Sequence, residues 1–247
     1  MPTSTPSQDD YFFQAYDRED VAYGLAPSPA LRSYLQQIYP DGIERGSRVA
    51  LDIGAGAGRD TLALAQVGFR VVSVDLSERG LRRIEERSKR HGVDDLVRTQ
   101  ASDVREFDFE EQQYDAIIAT TVLDHIPEAD SIAVWKQLCR SLTPDGLMYV
   151  QVHTTEDPGC GIAPGCNRES PISETAEAVI NYFPPNRLVR WASQAQSQLR
   201  VLRYEERLEW DTTHGEPHLH GKAVLLAVKE DHHPNWYGQP PAFPRPG

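Results

Sequence analysis

Short apolar runs alternate with amphipathic segments along most of this chain, and the alternation predicts strands and helices in turn. Ser28-Pro29 reads as an N-cap followed by a first-turn proline, opening a helix to about Tyr39 with Leu31, Leu35 and Ile38 on one face. The run Val49-Ala-Leu-Asp-Ile53 predicts a strand, and Arg70-Val-Val-Ser-Val-Asp75 predicts the next. Between them lie glycines at 54, 56 and 58 and a helix-like segment. Ser77 can cap a charged helix to about Arg90; a weaker strand follows near Leu96–Ala101, and Tyr114-Asp-Ala-Ile-Ile-Ala-Thr120 is a clear one. A helix from about Glu128 to Leu142 ends at Thr143-Pro-Asp-Gly146, a turn that launches the strand Leu147-Met-Tyr-Val-Gln-Val152.

Five strands alternating with helices imply a parallel sheet covered on both faces, with right-handed crossovers. The tail breaks the rhythm. Leu199–Asp211 and Leu219–Lys229 are strand-like runs separated by a short Gly/Pro/His stretch, which predicts a hairpin and an antiparallel strand. The expected fold is α/β: a mostly parallel seven-stranded sheet with helices on both faces and a C-terminal antiparallel hairpin. Residues 1–10 read as a flexible N-terminus, and 231–247, with five prolines, as a Pro-rich tail. Residues 11–230 are expected to form a single domain, with 11–45 as an N-terminal lid and helix and 153–185 as a long loop. At 247 residues, one α/β domain is the economical reading.

The glycines after the first strand let the backbone turn sharply and remove Cβ atoms that would hold a ligand off the main chain. About twenty residues on, Asp75 ends the second strand, where a carboxylate can accept hydrogen bonds from ribose hydroxyls. This βαβ unit predicts a nucleotide-cofactor loop. A dinucleotide fingerprint counted from Gly54 needs glycine at 59, where Arg59 stands, which argues against a nicotinamide cofactor. The order Asp52-x-Gly54-x-Gly56-x-Gly58 resembles instead the first motif of the class I S-adenosylmethionine-dependent methyltransferases. Gly58-Arg59-Asp60, the Leu-Ala-x-x-Gly-Phe-Arg-Val order leading into Asp75, and Asp211 to Gly221 near the end are similar to the tellurite-resistance methyltransferase group, with kinship to thiopurine-type enzymes. The resemblance covers roughly residues 11–229. It implies a Rossmann-like fold, S-adenosyl-L-methionine as cofactor and methyl transfer as the activity.

The same resemblance assigns Asp52, Gly54, Gly56, Gly58, Arg59, Asp75 and Leu76 to the cofactor. It places Asp103 on the adenine amino group, the backbone of Val104 on a ring nitrogen, and Thr120 and Thr121 along the methionine moiety. A turn or cap role is the alternative for Asp103. The segment 10–24 holds five aromatics, among them Tyr16 and Tyr23, candidates for a lid that closes over the cofactor and excludes water. Anchoring of a terminal helix is the alternative use of those rings.

A net charge of −12 and a pI near 5.1 oppose a general affinity for nucleic-acid phosphate or anionic lipid. No apolar run approaches the roughly twenty residues that span a bilayer, and the start lacks a basic-then-apolar leader, so a cytoplasmic location is expected. Three cysteines, Cys139, Cys160 and Cys166, do not form a secreted disulfide framework. The expected partner is a small-molecule acceptor, with neither nucleic acid nor membrane involved. Oligomeric state is not legible.

Methyl transfer from a sulfonium is an in-line displacement that needs alignment and desolvation more than a universal catalytic motif. Acceptor chemistry must therefore be read from the loops. His125 after the fourth strand and His153 after the fifth emerge on the carboxyl edge of the sheet, and they are the leading pair for a general base. His214, His218 and His220 in the hairpin have a spacing suited to a transition metal, with no acidic fourth ligand evident. A solvated or hydrogen-bonded hairpin is the alternative. Cys160 and Cys166 could bind a thiophilic substrate or stay inert. The family resemblance implies acceptors with soft sulfur, selenium or tellurium atoms. Two competing functions stand beside methyl transfer: a non-catalytic cofactor or metal sensor on the same fold, and a nicotinamide oxidoreductase, which Arg59 opposes.

Overall fold

The computed structural model describes residues 27, 29–161, 179, 181–211 and 217–234. Seven strands form one sheet: β1 (Val49–Ile53), β2 (Arg70–Asp75), β3 (Val97–Ala101), β4 (Tyr114–Thr120), β5 (Leu142–His153), β6 (Leu199–Asp211) and β7 (His218–Lys229). Their order is β3-β2-β1-β4-β5-β7-β6. The first five are parallel to one another, while β7 runs antiparallel to both β5 and β6. Because β6 thus runs parallel to β5, the end of β6 and the start of β7 join the carboxyl ends of β1–β5 on one edge. The strand order reverses between β1 and β4, which opens a crevice where ligands bind in sheets of this kind.

Successive strand residues feed opposite cores, as the two-residue pleat requires. Leu51, Ile117, Val150 and Leu225 join one apolar cluster, and Ala50, Ile118, Tyr149 and Leu226 join the other. The first is covered by Trp135 and Leu138 of α4 (Glu128–Ser141) and by Leu188 and Ala192 of α5 (Arg187–Ala192). The second is covered by Leu31 and Leu35 of α1 (Pro29–Ile38) and by Leu62 and Leu64 of α2 (Arg59–Val67). Helices therefore lie on both faces, as the alternation predicts. α3 (Glu78–Arg90) starts at the expected cap, where the Ser77 hydroxyl accepts from the Gly80 N–H at 3.1 Å.

Two boundaries differ from the sequence reading. α4 ends at Ser141, and Leu142 already pairs with Tyr114; the ladder resumes with Ala116 opposite Leu147. The Thr143–Gly146 turn is thus an irregularity within β5 rather than a connection before it. β7 begins at His218, one residue earlier than expected, because the hairpin register carries through to the Asp211–His218 pair. Tyr16, Tyr23, Ser28, Cys166, His214 and the tail beyond 234 lie outside the described residues. Among the described residues no helix is long and apolar enough to cross a membrane.

Candidate functional site

The turn after β1 is built by glycines in left-handed conformation, with φ of +64° at Gly54, +54° at Gly56 and +86° at Gly58. The protein's own packing also demands them. A Cβ on Gly54 would lie 2.9 Å from Cβ of Val122, and one on Gly58 would lie 2.7 Å from Cγ1 of Ile84. The turn is then tied to its surroundings. Asp75 at the end of β2 accepts from the Gly56 N–H at 2.8 Å through Oδ2, and from the Ser77 N–H at 2.8 Å through Oδ1. The Arg87 guanidinium of α3 donates to the Ala57 carbonyl. Burial raises the Asp75 carboxyl above its ordinary value, against the lowering effect of these backbone N–H groups.

Asp52 is buried beneath the turn, and its Oδ2 accepts from the Thr61 hydroxyl at 2.6 Å. Burial, and then the neighbouring Asp60 carboxylate, push the Asp52 carboxyl well above the usual range. Asp60 itself joins the two strands at the crevice. Its Oδ2 accepts from the Thr120 hydroxyl at 2.8 Å, while its Oδ1 lies 3.3 Å from Nε of Arg59. The structure thereby brings Arg59 and Thr120, both predicted from sequence, onto an aspartate that the sequence reading did not select. Thr121, next along, has φ of +52°, a conformation costly for a β-branched residue, and its N–H donates to the Gln151 carbonyl at 2.8 Å.

Leu76 follows Asp75 directly and is one of the few large apolar side chains exposed, at 52%. Val104 is buried in the core, and Asp103 is held in a local turn. Oδ1 of Asp103 accepts from the Arg105 backbone N–H and from Nε of Arg105, both at 2.9 Å. Arg105 accordingly holds the Asp103 carboxyl below its usual range. The turn role considered for Asp103 is therefore present. Beside the site, Arg59, Arg79, Arg82, Arg83, Arg87 and Arg90 line a cleft between α2 and α3. The acidic overall balance concealed this basic surface.

On the far side of the crevice, the carboxyl edge carries a buried histidine and aspartate cluster. Asp124 Oδ2 accepts from both the backbone N–H of His153, at 2.8 Å, and its ring Nδ1, at 2.5 Å. Burial alone would raise the Asp124 carboxyl, but His125 and these bonds from His153 outweigh it and hold the group low. An ionised Asp124 fixes the tautomer of His153 with the proton on Nδ1, leaving the lone pair on Nε2. That Nε2 is buried and has no hydrogen-bond partner among the described residues. His125 packs edge-on against His153 with ring centres 6.0 Å apart, so the predicted pair does come together.

His220 lies on the other side of His153, ring centres 4.7 Å apart, and His218 contacts His220. Asp157 Oδ2 accepts from His220 Nδ1 and from the Gly221 N–H, both at 3.0 Å. Cys160 stands at the end of this turn, its N–H bonded to the Asp157 carbonyl, and burial raises its thiol. The sequence reading passed over Asp124, Asp157 and Asp211. Asp124 sits next to a residue it did select, and a carboxylate adjacent to a histidine after a strand was the available signal.

Gly221 is where the Asp157 turn meets β7. A Cβ there would lie 2.4 Å from the Asp157 amide nitrogen, 2.7 Å from the Thr154 hydroxyl and 2.8 Å from the Glu156 carbonyl carbon. Gly221→Ala is expected to lower stability by about 1–3 kcal/mol, the usual cost of overpacking. The midpoint of thermal unfolding checks it; an unchanged midpoint would mean that the turn yields freely.

Comparison with known proteins agrees with this geometry. Residues 50–146 match the methyltransferase-domain family, a span that runs from β1 into β5 and holds the glycine turn. The chain is 31% identical over 124 residues to the ubiquinone biosynthesis O-methyltransferase of Bordetella avium, covering 49% of this chain and 47% of that protein. The chain spans about half the length of the curated relatives it matches. Among solved structures it resembles TehB of Haemophilus influenzae, with a TM-score of 0.63, 18% identity, 90% of this chain and 67% of that one covered. It also resembles the 1,6-didemethyltoxoflavin-N1-methyltransferase of Burkholderia thailandensis, solved with bound S-adenosylhomocysteine, with a TM-score of 0.61, 22% identity and coverages of 91% and 87%. The chain carries the Rossmann-like fold of the class I S-adenosylmethionine-dependent methyltransferases and resembles the TehB type.

Proposed function

We propose that this protein is an S-adenosylmethionine-dependent methyltransferase that acts on a small-molecule acceptor in the cytoplasm, without nucleic acid or membrane partners. The observation that carries the reading is the glycine turn locked to Asp75, lying within the span that matches the methyltransferase-domain family. In this reading Gly54, Gly56 and Gly58 give the cofactor close access to the backbone, and Asp75 accepts from the ribose hydroxyls. Leu76 covers one face of the adenine, and Asp103 and Val104 approach its edge. Arg59, Asp60, Thr120 and Thr121 border the methionine end, with Asp52 supporting them from below.

The acceptor sits against the histidine cluster, where His153 takes its proton through Nε2 and Asp124 positions the ring. S-adenosylmethionine held at the glycine turn would supply an electrophilic sulfonium methyl, and the acceptor atom freed of its proton by His153 would be the nucleophile, with S-adenosylhomocysteine as the leaving group. The sequence resemblance of Gly58-Arg59-Asp60 and Asp211 to Gly221 to the tellurite-resistance group supports a soft sulfur, selenium or tellurium nucleophile; the buried base supports an acceptor that starts with a hydrogen on its nucleophilic atom. The non-catalytic sensor is not favoured.

The test is mass-spectrometric detection of S-adenosylhomocysteine when the protein meets S-adenosylmethionine and a panel of thiols, selenite, tellurite, phenols, amines and carboxylic acids. Release that depends on one acceptor class is expected. Calorimetry that finds no binding of either S-adenosylmethionine or S-adenosylhomocysteine would overturn the proposal.

A further inference from the structure

We propose that Asp211, His218 and His220 form a binding site for a divalent transition-metal ion at the carboxyl edge of the sheet. The hairpin register creates the cluster. Asp211 pairs with His218 across β6 and β7, and His220, two residues further along β7, projects to the same face. All three side chains are buried, and their ligand atoms lie within 4.8 Å of one another.

The nitrogens converge as metal ligands do. Nε2 of His218 faces Nε2 of His220 at 3.1 Å. Two imidazole nitrogens bound at about 2.0–2.1 Å to one tetrahedral or octahedral centre lie about 2.8–3.4 Å apart, so the rings need little adjustment to share an ion. The ring of His220 is already oriented for this. Its Nδ1 is 3.0 Å from the Asp157 carboxylate, which also accepts from the Gly221 N–H, and a carboxylate behind a histidine fixes the tautomer that leaves Nε2 as the donor. In the absence of an ion, Nε2–H of His218 donates to that lone pair.

Two neighbouring groupings of histidine and carboxylate are weaker candidates. Asp124 Oδ2 already accepts twice from His153, and Asp157 Oδ2 already accepts from His220 and Gly221. Those carboxylates orient rings; Asp211 stands beside both imidazoles of the hairpin, with its carboxylate within 4.8 Å of their ligand nitrogens. The sequence reading found no acid to complete its histidine set; the last residue of β6 supplies one, while His214 lies outside the described residues. Two imidazoles and one carboxylate suit zinc, iron(II), cobalt or nickel better than magnesium or calcium. Three protein donors also leave a position open, as sites that exchange a ligand do. The ring of His220 packs 4.7 Å from that of His153, so the ion adjoins the acceptor position. That it meets the acceptor rests on the methyl-transfer reading, whereas the binding itself does not.

The full chain, freed of metal with a chelator, is titrated with cobalt(II) and followed in the visible spectrum, with zinc(II) followed by calorimetry. One equivalent of ion and cobalt d–d bands are expected, with the bands abolished in His218→Ala and His220→Ala and the affinity of Asp157→Asn lowered about 10- to 100-fold. Thermal unfolding of each variant reports whether it still folds, and Asp211→Asn, which keeps the side-chain shape, is expected to weaken binding in a folded protein. No cobalt bands in the wild-type chain, or bands unchanged in a folded His218→Ala/His220→Ala double variant, would overturn the site. Failure of the methyl-transfer reading looks different: no affinity for S-adenosylhomocysteine, with the cobalt spectrum intact.

Discussion

Alanine in place of His153 is expected to lower methyl-transfer turnover by about 100- to 10,000-fold, the range for loss of a positioned general base, while the affinity for S-adenosylhomocysteine changes little. The expectation follows from how the ring is held. Asp124 accepts from its Nδ1 at 2.5 Å, which commits that nitrogen to carrying the proton and leaves Nε2 as a buried acceptor without a partner among the described residues. Such an atom is costly unless something uses it. Asp124→Asn then serves as a second probe, because an amide stabilises the imidazolium less and permits the wrong tautomer. It is expected to reduce turnover in the same direction with cofactor affinity retained. His125 lies one ring further out, so His125→Ala is expected to have the smaller effect. Steady-state kinetics with cofactor binding on the same samples separates the outcomes. Turnover that falls together with cofactor affinity would indicate a structural role. Unchanged turnover would mean that the nucleophile arrives already ionised, as a thiolate or an oxyanion of a soft element does, and would move the acceptor toward that class.

Much of the fold is legible because its signals are local. The glycine turn, the Ser77 cap and the apolar strands each declare themselves within a few residues, and the sheet order follows from strands alternating with helices. The hairpin is legible for the same reason. The irregularity in β5 is not, since Thr143-Pro-Asp-Gly146 has the composition of a turn and only its neighbour β4 shows that the ladder resumes around it. The acceptor side is harder still. His153 meets Asp124 across 29 positions of chain and His220 meets Asp157 across 63, so no spacing rule brings these pairs together. The three histidine-bearing segments could be placed on one edge from topology alone. Which carboxylate faces which ring is decided by register: Lys222 opposite His153, and His218 opposite Asp211.

At the glycines the structure adds a reason that the sequence does not show. Their freedom to adopt positive φ was expected to serve a ligand's approach, yet Val122 and Ile84 occupy the space a Cβ would need at Gly54 and Gly58. The same turn therefore packs, through Gly54, against the segment that leads to Asp124. Thr121 is strained beside it, and its neighbour Thr120 is tied by hydroxyl to Asp60. The glycine turn and the histidine edge are thus joined through a few residues at the β1–β4 crevice.

Asp75→Ala is expected to weaken binding of S-adenosylhomocysteine by about 100- to 10,000-fold. Two hydrogen bonds from ribose hydroxyls to a carboxylate are each worth about 1.5–3 kcal/mol, and 1.4 kcal/mol is a factor of ten. The loss is compounded because Asp75 also anchors the turn through the N–H groups of Gly56 and Ser77. Asp75→Asn retains one carbonyl oxygen but not the charge, and is expected to fall between the wild type and alanine. A pH signature distinguishes the carboxylate's role from mere packing. Burial raises the Asp75 carboxyl above its ordinary value, so it begins to protonate at a higher pH than a solvated aspartate. Only the ionised form accepts from both hydroxyls and both backbone N–H groups. Affinity is therefore expected to be full at neutral pH and to fall as pH drops through the raised value, and this part of the dependence should vanish in Asp75→Asn. Calorimetric titration with S-adenosylhomocysteine at several pH values measures it. A wild-type affinity that is flat over that interval, together with an alanine variant that binds normally, would remove Asp75 from the ribose site and leave it as a brace for the glycine turn alone.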